Sequence, residues 1–441
     1  MHRRDMLKLA ATAGALAVTT ERAVKAQEKV EKASRGMPSP IIKDIQVITY
    51  NRLTVVKIVT DQPGLYGYGC GTISMRSEVV TTDVEKYLKP LLLGRPADRI
   101  EDTWQMMVNS AQWRFDPIMN NSMSGVDEAL WDIKGRQAGV PVYELLGGKC
   151  REAVMAYTDL AAVRIPNPPD VQGMIDGYRK LMAMGFKAIR AGARDPKAPP
   201  SLWDATVTSD SKVNFATQMA FFEECRKQLG FDVGLIFDVH RNYSNPTESV
   251  QFCTDIEPLK MFYIEDPFSI EDIPYYKQIR QHCNTPIAMG EMFVNPNEYV
   301  PLINERLIDY MRIHISAAGG VTPCRKAAAM GELLGVRTSW HGSPDISPIG
   351  HMANVHLDVS CYNTGIQEWR GYSDLTKEIF SGCIEAKDGY LYPNDKPGWG
   401  IEIDEKLAAK YPPGTGEKGS AQKLNGGWGD YRRADGTIYR P

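Results

Sequence analysis

The sequence predicts an α/β protein in which a TIM-like parallel barrel follows a small N-terminal α+β domain. From Ala153 to Glu368, apolar runs of strand length alternate with amphipathic stretches of helix length, and eight strands can be counted. Before this region the chain has β-rich runs followed by helices. Regular alternation of strand and helix is typical of a parallel barrel rather than of a sandwich, because each helix returns the chain to begin the next parallel strand.

The N-terminal α+β domain is assigned to residues 41–152. Its predicted strands are Ile41 to Tyr50, Val55 to Thr60 and Tyr66 to Cys70. Apolar residues at helical spacing over Ser122 to Gly139 predict a helix that follows them. A sheet whose strands precede its helices indicates an α+β unit, which we expect to form a cap beside the barrel.

The barrel is assigned to residues 153–370. The long interval between its second and third strands contains Arg194 to Lys212, a segment rich in Pro, Asp and Ser that we predict to be an active-site loop. The predicted strands are Val154 to Tyr157, Ala188 to Ala191, Gly234 to Asp238, Met261 to Glu265, Pro286 to Gly290, Tyr310 to Ile315, Arg337 to His341 and Gly365 to Glu368.

Beyond the barrel the alternation stops. Residues 371–441 contain a hairpin-like segment, Tyr390 to Ile403, and then a Gly-rich polar tail that reaches Pro441. We expect this part of the chain to return to the N-terminal domain.

The first 26 residues resemble a twin-arginine export signal. Arg3 and Arg4 precede an apolar stretch, Leu9 to Val18, that is too short to span a bilayer as a helix. Cleavage after Ala26 would place the processed protein in the periplasm without membrane insertion, and residues 27–40 would form a linker. An amphipathic N-terminal helix is the alternative interpretation.

Composition excludes several classes of protein. The chain has 441 residues, of which 43% are hydrophobic and 24% charged, and its formal net charge of -3 gives no electrostatic basis for binding nucleic acid. Its eight cysteines include no C-x-x-C pair, so zinc-binding and thioredoxin-like interpretations fail. A chain of this size and composition is an ordinary globular protein, for which we also expect a homo-oligomer.

Three carboxylates end three successive barrel strands. Asp238, Glu265 and Glu291 lie 27 and 26 residues apart, which is the length of one strand plus one helix. Residues at the carboxyl ends of neighbouring barrel strands converge on the mouth where barrel active sites lie. Mg²⁺ prefers such oxygen ligands, so the trio predicts an open catalytic Mg²⁺ site. The alternative is that each acid is only a helix N-cap or a solvated loop charge.

Polar residues on other strands should face the same cavity. His240 shares a face of its strand with Asp238 and is predicted to be a general acid, or else a further metal ligand or a packed polar residue. Arg312 on the sixth strand would bind a substrate carboxylate, or would form a structural ion pair with one of the metal carboxylates. His341 and Asp345 follow the seventh strand, and Glu368 ends the eighth.

Several runs of sequence resemble the enolase superfamily, and more narrowly the mannonate dehydratase group of the mandelate racemase/muconate lactonizing enzyme family. The similarity extends over residues 41–411. The runs that carry it are SGVDEALWDIKGRQAGVPVYELLGG, GFKAIRA, FDVH, IEDP, GE, LIDYMR, AAGG, HGSPDISP and GIQEW. The resemblance implies a (β/α)7β barrel with an N-terminal capping domain.

The resemblance also implies chemistry. Members of the superfamily remove a proton α to a carboxylate and stabilise the enediolate with Mg²⁺. Here this would be dehydration of a sugar acid to a 2-keto-3-deoxy acid, with His240 as the acid that helps the β-hydroxyl leave. Arg190 would be half of a Tyr/Arg pair whose Tyr is the base. The resemblance assigns metal ligation to Asp238, Glu265 and Glu291, and proximity to metal or substrate to Arg312, His341, Asp345 and Glu368.

The sequence departs from that group at two positions. No tyrosine occurs between Ala191 and Phe215, so the base is missing, and Asp159 stands where active members have a histidine. The remaining candidates for the base are His341, which we favour, then Asp159, which is otherwise a substrate-binding residue, and Lys212. We therefore expect poor dehydration of mannonate. A racemase or epimerase of a hydroxy acid and an exported, non-catalytic carboxylate-binding protein are the alternative functions.

Overall fold

The computed structural model describes residues 37–73, 76–165, 170–193, 211–240, 246–342 and 345–415. The predicted export signal, residues 27–36 of the linker, most of the predicted active-site loop and the tail from residue 416 lie outside these ranges. No helix in the described ranges is long and apolar enough to cross a membrane.

The N-terminal domain is a three-stranded antiparallel sheet packed against a long helix. Strands β1 (Ile42–Tyr50), β2 (Leu53–Thr60) and β3 (Tyr66–Cys70) follow one another in the sheet in chain order. The helices are α1 (Ser77–Asp83), followed by a π-helical turn (Val84–Leu88), α2 (Lys89–Leu92), α3 (Ile100–Val108), α4 (Pro117–Ala138) and α5 (Val142–Leu145).

Helix α4 has a capping residue at each end and lies close to the sheet. Asp116 caps its N-terminus by accepting from the Ile118 and Met119 amides, and Gly139 ends it at a φ of 71°. The close approach depends on glycines in β3, because a Cβ on Gly69 would lie 2.1 Å from the Gly125 carbonyl oxygen.

In the described ranges the second domain is the predicted barrel, with eight parallel strands joined by seven α-helices, which confirms the expected fold class. The first seven strands pair in chain order, and a bridge between Thr338 and Thr364 joins the seventh to the segment before the eighth. The eighth closes the sheet by pairing with the first: Gln367 faces Ala156, and Glu368 faces Tyr157. The strands are β4 (Val154–Thr158), β5 (Ala188–Arg190), β6 (Gly234–Asp238), β7 (Tyr263–Glu265), β8 (Ile287–Met289), β9 (Tyr310–Met311), β10 (Arg337–Thr338) and β11 (Gln367–Glu368). The helices are α6 (Val171–Ala183), α7 (Ser211–Leu229), α8 (Pro246–Asp255), α9 (Tyr276–His282), α10 (Pro296–Asn304), α11 (Val321–Leu334) and α12 (Pro348–Ser360).

A layer of apolar side chains fills the barrel interior. Tyr157 and Tyr263 make an edge contact there, with ring centroids 6.3 Å apart. Side chains alternate between the two faces of a strand, so the residue two positions after each of these also points inward, nearer the mouth. The layer consists of Tyr157, Ala188, Ile236, Tyr263, Ala288 and Ile366.

The C-terminal segment differs from the predicted hairpin over Tyr390 to Ile403. Strand β14 (Tyr390–Leu391) pairs instead with β13 (Ala386–Lys387) and, antiparallel, with β4 of the barrel. The turn is Asp388-Gly389, with φ of 52° and 77°, and this Asp-Gly pair is the residue type that tight hairpins favour. The hairpin therefore lies at residues 386–391, earlier in the chain than predicted.

The rest of this segment contacts the N-terminal domain. Strand β15 (Glu402–Ile403) pairs with β12 (Phe380–Ser381), between helices α13 (Asp374–Ile379) and α14 (Glu405–Ala408). The Lys57 Nζ lies 2.6 Å from the Glu405 carboxylate, and the Asn51 amide donates to the Tyr411 carbonyl at 2.7 Å.

Candidate active site at the mouth of the barrel

The alternation of the barrel strands places charged residues directly above the apolar layer. Each of these residues follows a member of that layer by two positions, which explains why they face inward together. They are Asp159, Arg190, Asp238, Glu265 and Glu368. Glu291 does not follow this rule; it comes one residue after Gly290, whose φ of 143° redirects the chain at the end of β8.

Asp238 forms a cluster with Arg190 and His240. The His240 Nε2 lies 2.8 Å from Asp238 Oδ2, the His240 amide donates to Oδ1 at 3.0 Å, and the Arg190 guanidinium contacts Oδ2. Burial opposes the charged carboxylate, but Arg190 and His240 outweigh it and hold the pKa of Asp238 well below its usual range. His240 itself has a φ of 49°, a strained conformation of the kind concentrated at functional sites.

Glu265 is paired with Arg312 and leaves one oxygen unsatisfied. The Arg312 Nε donates to Glu265 Oε1 at 2.6 Å, and both side chains are fully buried. Glu265 Oε2 is buried and accepts no hydrogen bond in the described part of the chain. Burial, together with the nearby charge of Asp238, raises the pKa of Glu265 above its ordinary value despite Arg312. Such an oxygen is stabilised by a cation.

Glu368 joins the two arginines. Its Oε1 lies 3.2 Å from Arg190 Nη1, and its Oε2 accepts from Arg312 Nη2 at 2.9 Å and from the Gly342 amide at 2.8 Å. Burial opposes its charge, but Arg312 leads the groups that lower the pKa of Glu368. The structure therefore shows Arg312 in buried ion pairs with Glu265 and Glu368. Of the two arrangements expected for Arg312, this is the structural ion pair and not the binding of a substrate carboxylate.

His341 lies on the other side of the site among carboxylates. Its Nδ1 is 3.4 Å from Glu291 Oε2, its Nε2 is 3.6 Å from Asp345 Oδ2, and its ring stacks on His314 with centroids 4.9 Å apart. Burial disfavours the charged imidazole, but Asp345, Glu368 and Glu291 together raise the pKa of His341. Burial and the charge of His341 lower the pKa of His314 to about 4, so His314 is neutral.

The three predicted ligands fit a hard divalent cation in their chemistry. Asp238 and Glu265 are register partners on β6 and β7, and their oxygens suit Mg²⁺. In the described residues no three His, Cys, Asp or Glu side chains enclose a metal position, and Arg190 and Arg312 form ion pairs with two of the three predicted ligands. The unsatisfied oxygen of Glu265 favours a cation at this position.

Asp159 forms an ion pair with Arg370, which was not among the predicted site residues. Its Oδ2 accepts from Arg370 Nη2, and its Oδ1 accepts from the Ala161 amide at 2.8 Å. Arg370 follows Glu368 by two positions, so strand alternation could have placed it at the mouth. The third candidate for the base, Lys212, lies in the first turn of α7, where the side chains of residues 211–214 are outside the described part of the structure.

A capping α+β domain, a (β/α)7β barrel and an acidic site at its mouth define an enolase-type protein. In agreement, residues 27–147 match the "Mandelate racemase / muconate lactonizing enzyme, N-terminal domain" family and residues 173–407 match the "Enolase C-terminal domain-like" family. The chain belongs to the mandelate racemase/muconate lactonizing enzyme family of the enolase superfamily.

Comparison with related proteins places the chain more narrowly, within the D-galactonate dehydratase family. It is 44% identical to the family member RspA of Pantoea ananatis over 412 residues, which cover 88% of this chain and 95% of that protein. A member from Salmonella enteritidis is 43% identical over the same shares of the two chains.

Solved structures agree with this placement. A crystal structure of an enolase from Pantoea ananatis with bound D-gluconate and Mg is 42% identical, has a TM-score of 0.81, and is matched over 91% of this chain and all (100%) of that chain. The 3,6-anhydro-D-galactonate cycloisomerase from Zobellia galactanivorans is 25% identical, with a TM-score of 0.71 and coverage of 84% and 99%.

Proposed function

We propose that this protein is a Mg²⁺-dependent dehydratase that converts a sugar acid to a 2-keto-3-deoxy acid. The observation that carries the proposal is the placement of two imidazoles, His240 and His341, on either side of the acidic site. His240 Nε2 lies 2.8 Å from Asp238 Oδ2, and His341 Nδ1 lies 3.4 Å from Glu291 Oε2. Dehydration needs one group that removes the α-proton and another that protonates the departing β-hydroxyl.

Asp238, Glu265 and Glu291 would hold the cation. Bound there, Mg²⁺ supplies positive charge beside the substrate carboxylate and so stabilises the enediolate anion left when the α-proton is removed. The relative from Pantoea ananatis, crystallised with D-gluconate and Mg, supports both the metal and the class of substrate.

His240 is the proposed acid. Burial opposes protonation of this imidazole, but Asp238 leads the groups that raise the pKa of His240, which favours the protonated form needed to donate to the leaving hydroxyl. Arg190 bridges Asp238 and Glu368 and so fixes the position of Asp238, whose carboxylate in turn orients His240 through the contact of 2.8 Å with Nε2.

His341 is the proposed base. Once it has taken the α-proton, the imidazolium is stabilised by Asp345 and Glu291, whose oxygens lie within 3.6 Å and 3.4 Å of its ring nitrogens. Asp159 is less suited to this role because both of its oxygens already accept hydrogen bonds.

The absence of a tyrosine between Ala191 and Phe215 sets this chain apart from the mannonate dehydratase group that it resembles. We therefore propose a sugar acid other than mannonate as the preferred substrate. We further propose export through the twin-arginine signal in residues 1–26, function in the periplasm, and assembly as a homo-oligomer.

A panel of sugar acids incubated with the protein and Mg²⁺ tests the proposal. Dehydration yields a keto acid that reacts with a carbonyl reagent, and this is the expected result for at least one acid. Exchange of the α-proton in D₂O without a keto acid would instead establish a racemase or epimerase. Binding without exchange or product would establish a carboxylate-binding protein and overturn the proposal.

A further inference from the structure

Asn120 reaches from the cap into the barrel near the start of α4. Its Nδ2 donates to the Val294 carbonyl and to the Ala317 carbonyl, each at 2.7 Å, and the side chain is fully buried. A carbonyl oxygen can only accept, so the NH₂ group faces both partners and uses both of its hydrogens. Val294 lies between β8 and α10, and Ala317 lies between β9 and α11. A single side chain of the cap thus joins two neighbouring loops at the barrel mouth.

The loop after β8 carries Glu291. Val294, three residues further on, is held on both sides, because its amide donates to Glu298 Oε2 at 2.8 Å and its carbonyl accepts from Asn120. Only two residues separate Glu291 from this anchor. A shift of the anchor would therefore move the backbone that carries Glu291.

The loop after β9 includes His314. The Ala317 amide donates to His314 Nδ1 at 3.4 Å, and the carbonyl of the same residue accepts from Asn120. Because Nδ1 is the acceptor, the proton of the neutral ring is on Nε2, which lies 3.2 Å from the Asp345 carbonyl. The ring held in this way stacks on His341, with centroids 4.9 Å apart. Ala317 therefore connects Asn120 with the histidine that packs against the proposed base.

We propose that Asn120 is a positioning residue that fixes the two loops relative to each other and so places Glu291 and His314 against His341. His341 contacts both of them, because its Nδ1 is 3.4 Å from Glu291 Oε2 and its ring stacks on His314. The inference rests on the proposed function, in which Glu291 binds the metal and His341 removes the proton. It adds that docking of the cap, through one amide, completes a site whose proposed ligands and base all belong to the barrel.

Asn120→Asp tests the inference with little change of shape. The carboxylate has no hydrogen to donate, and even its protonated form offers one donor for two carbonyls, so at least one loop loses its bond. The matched control is Asn121→Asp. Asn121 is also buried, but its Nδ2 donates to the Pro117 carbonyl at 2.6 Å within the same helix. Both variants should unfold at a lower urea concentration than the wild-type protein, because each loses a buried hydrogen bond.

Three measurements on the full chain separate positioning from stability. Hydrogen–deuterium exchange followed by mass spectrometry should be faster in residues 290–295 and 312–320 of Asn120→Asp alone. Calorimetric titration should show Mg²⁺ affinity weaker by about tenfold in that variant alone, because the Glu291 ligand is displaced. With any acid that the protein converts, α-proton exchange into D₂O should slow by about tenfold or more with less change in KM, since a displacement of about 1 Å can cost 10²-fold in rate. Asn121→Asp should match the wild-type protein in all three.

Equal effects of the two variants on the loops, on Mg²⁺ affinity and on α-proton exchange would overturn the inference and leave Asn120 with a role in stability alone. So would loops that exchange faster in Asn120→Asp while Mg²⁺ affinity and α-proton exchange stay unchanged. If Asn120→Asp does not fold, Asn120→Ala and Asn121→Ala, which remove the amides without adding charge, give the same comparison. A wild-type protein that acts on no sugar acid refutes the proposed function, whereas loop exchange and Mg²⁺ affinity still decide the role of Asn120.

Discussion

Asp238 and Glu265 face each other in register on neighbouring parallel strands, yet each is bound by a different arginine. Two buried carboxylates this close repel one another unless cations separate them. Arg190 and Arg312 meet that need in part, and Glu265 Oε2 remains unsatisfied. The site therefore contains two arginines that are always charged, and it retains negative charge that a divalent cation would neutralise.

Replacement of Glu265 by Gln tests the metal site. The amide keeps the shape of the side chain but removes one anionic ligand, so Mg²⁺ affinity should fall on the order of 100-fold, and turnover should cease. Calorimetric titration with Mg²⁺ measures the change, and circular dichroism checks that the fold is intact. Glu152→Gln, at an 85% exposed side chain, is the control. Unchanged Mg²⁺ affinity in Glu265→Gln would show that the three carboxylates do not form the metal site.

Replacement of His341 by Asn tests the base. Asparagine retains hydrogen bonding but cannot titrate, so exchange of the α-proton into D₂O should slow by about 10²- to 10⁴-fold while Mg²⁺ stays bound. Nuclear magnetic resonance of the substrate follows the exchange. Undiminished exchange would instead assign the base to Asp159 or to Lys212 at the start of α7.

The unmodified protein should dehydrate mannonate poorly. A positioned base contributes about 10²- to 10⁴-fold, and the tyrosine that supplies it in the mannonate dehydratase group is absent here. Comparison of kcat/KM for mannonate with that for the best acid of the panel gives the measurement. Mannonate as the best substrate would refute the idea that the missing tyrosine redirects specificity.

Export should depend on Arg3 and Arg4. Changing both to Lys should leave unprocessed protein in the cytoplasm, because the twin-arginine route recognises the arginine pair specifically. Fractionation of cells followed by mass determination of the N-terminus gives the result. Continued appearance of processed protein outside the cytoplasm would assign export to another signal.

Acid should destabilise the protein through two buried histidines of α12. Burial lowers the pKa of His351 to about 4 and that of His356 to about 3. The unfolded chain binds these protons near pH 6.5, so the stability contribution is complete above that pH and declines as the pH falls toward 4, by about 1.4 kcal/mol per unit and residue.

The variant His356→Gln isolates this effect. Its free energy of unfolding in urea should depend less steeply on pH between 6.5 and 4 than that of the wild-type protein, by about one proton. His282→Gln, at an exposed position at the end of α9, is the control and should leave the slope unchanged. Equal slopes for wild type and His356→Gln would show that His356 is not held neutral.

Strand periodicity alone determined much of this protein. All eight barrel strands lie where apolar runs predict them, and a period of two explains why Asp238, Glu265 and Glu368 point into the barrel above Ile236, Tyr263 and Ile366. The direction of each side chain is a local property of a strand, so it can be predicted from a short run of sequence. His240 also lies beside Asp238, 2.8 Å away, but its φ of 49° is not a strand conformation, so alternation does not explain this contact.

Only the tertiary structure decided how the charged groups pair. Arg312 could have faced a substrate carboxylate, but folding places it between Glu265 and Glu368, and Asp159 meets Arg370 across 211 residues of chain. The pairing of Asp159 with Arg370 depends on closure of the barrel, which brings its first and last strands together. The pairing of Arg312 with Glu265 depends on the packing of β9 and β7 on either side of β8. The burial that makes each pairing energetically decisive also exists only in the folded protein, because unfolded side chains remain hydrated.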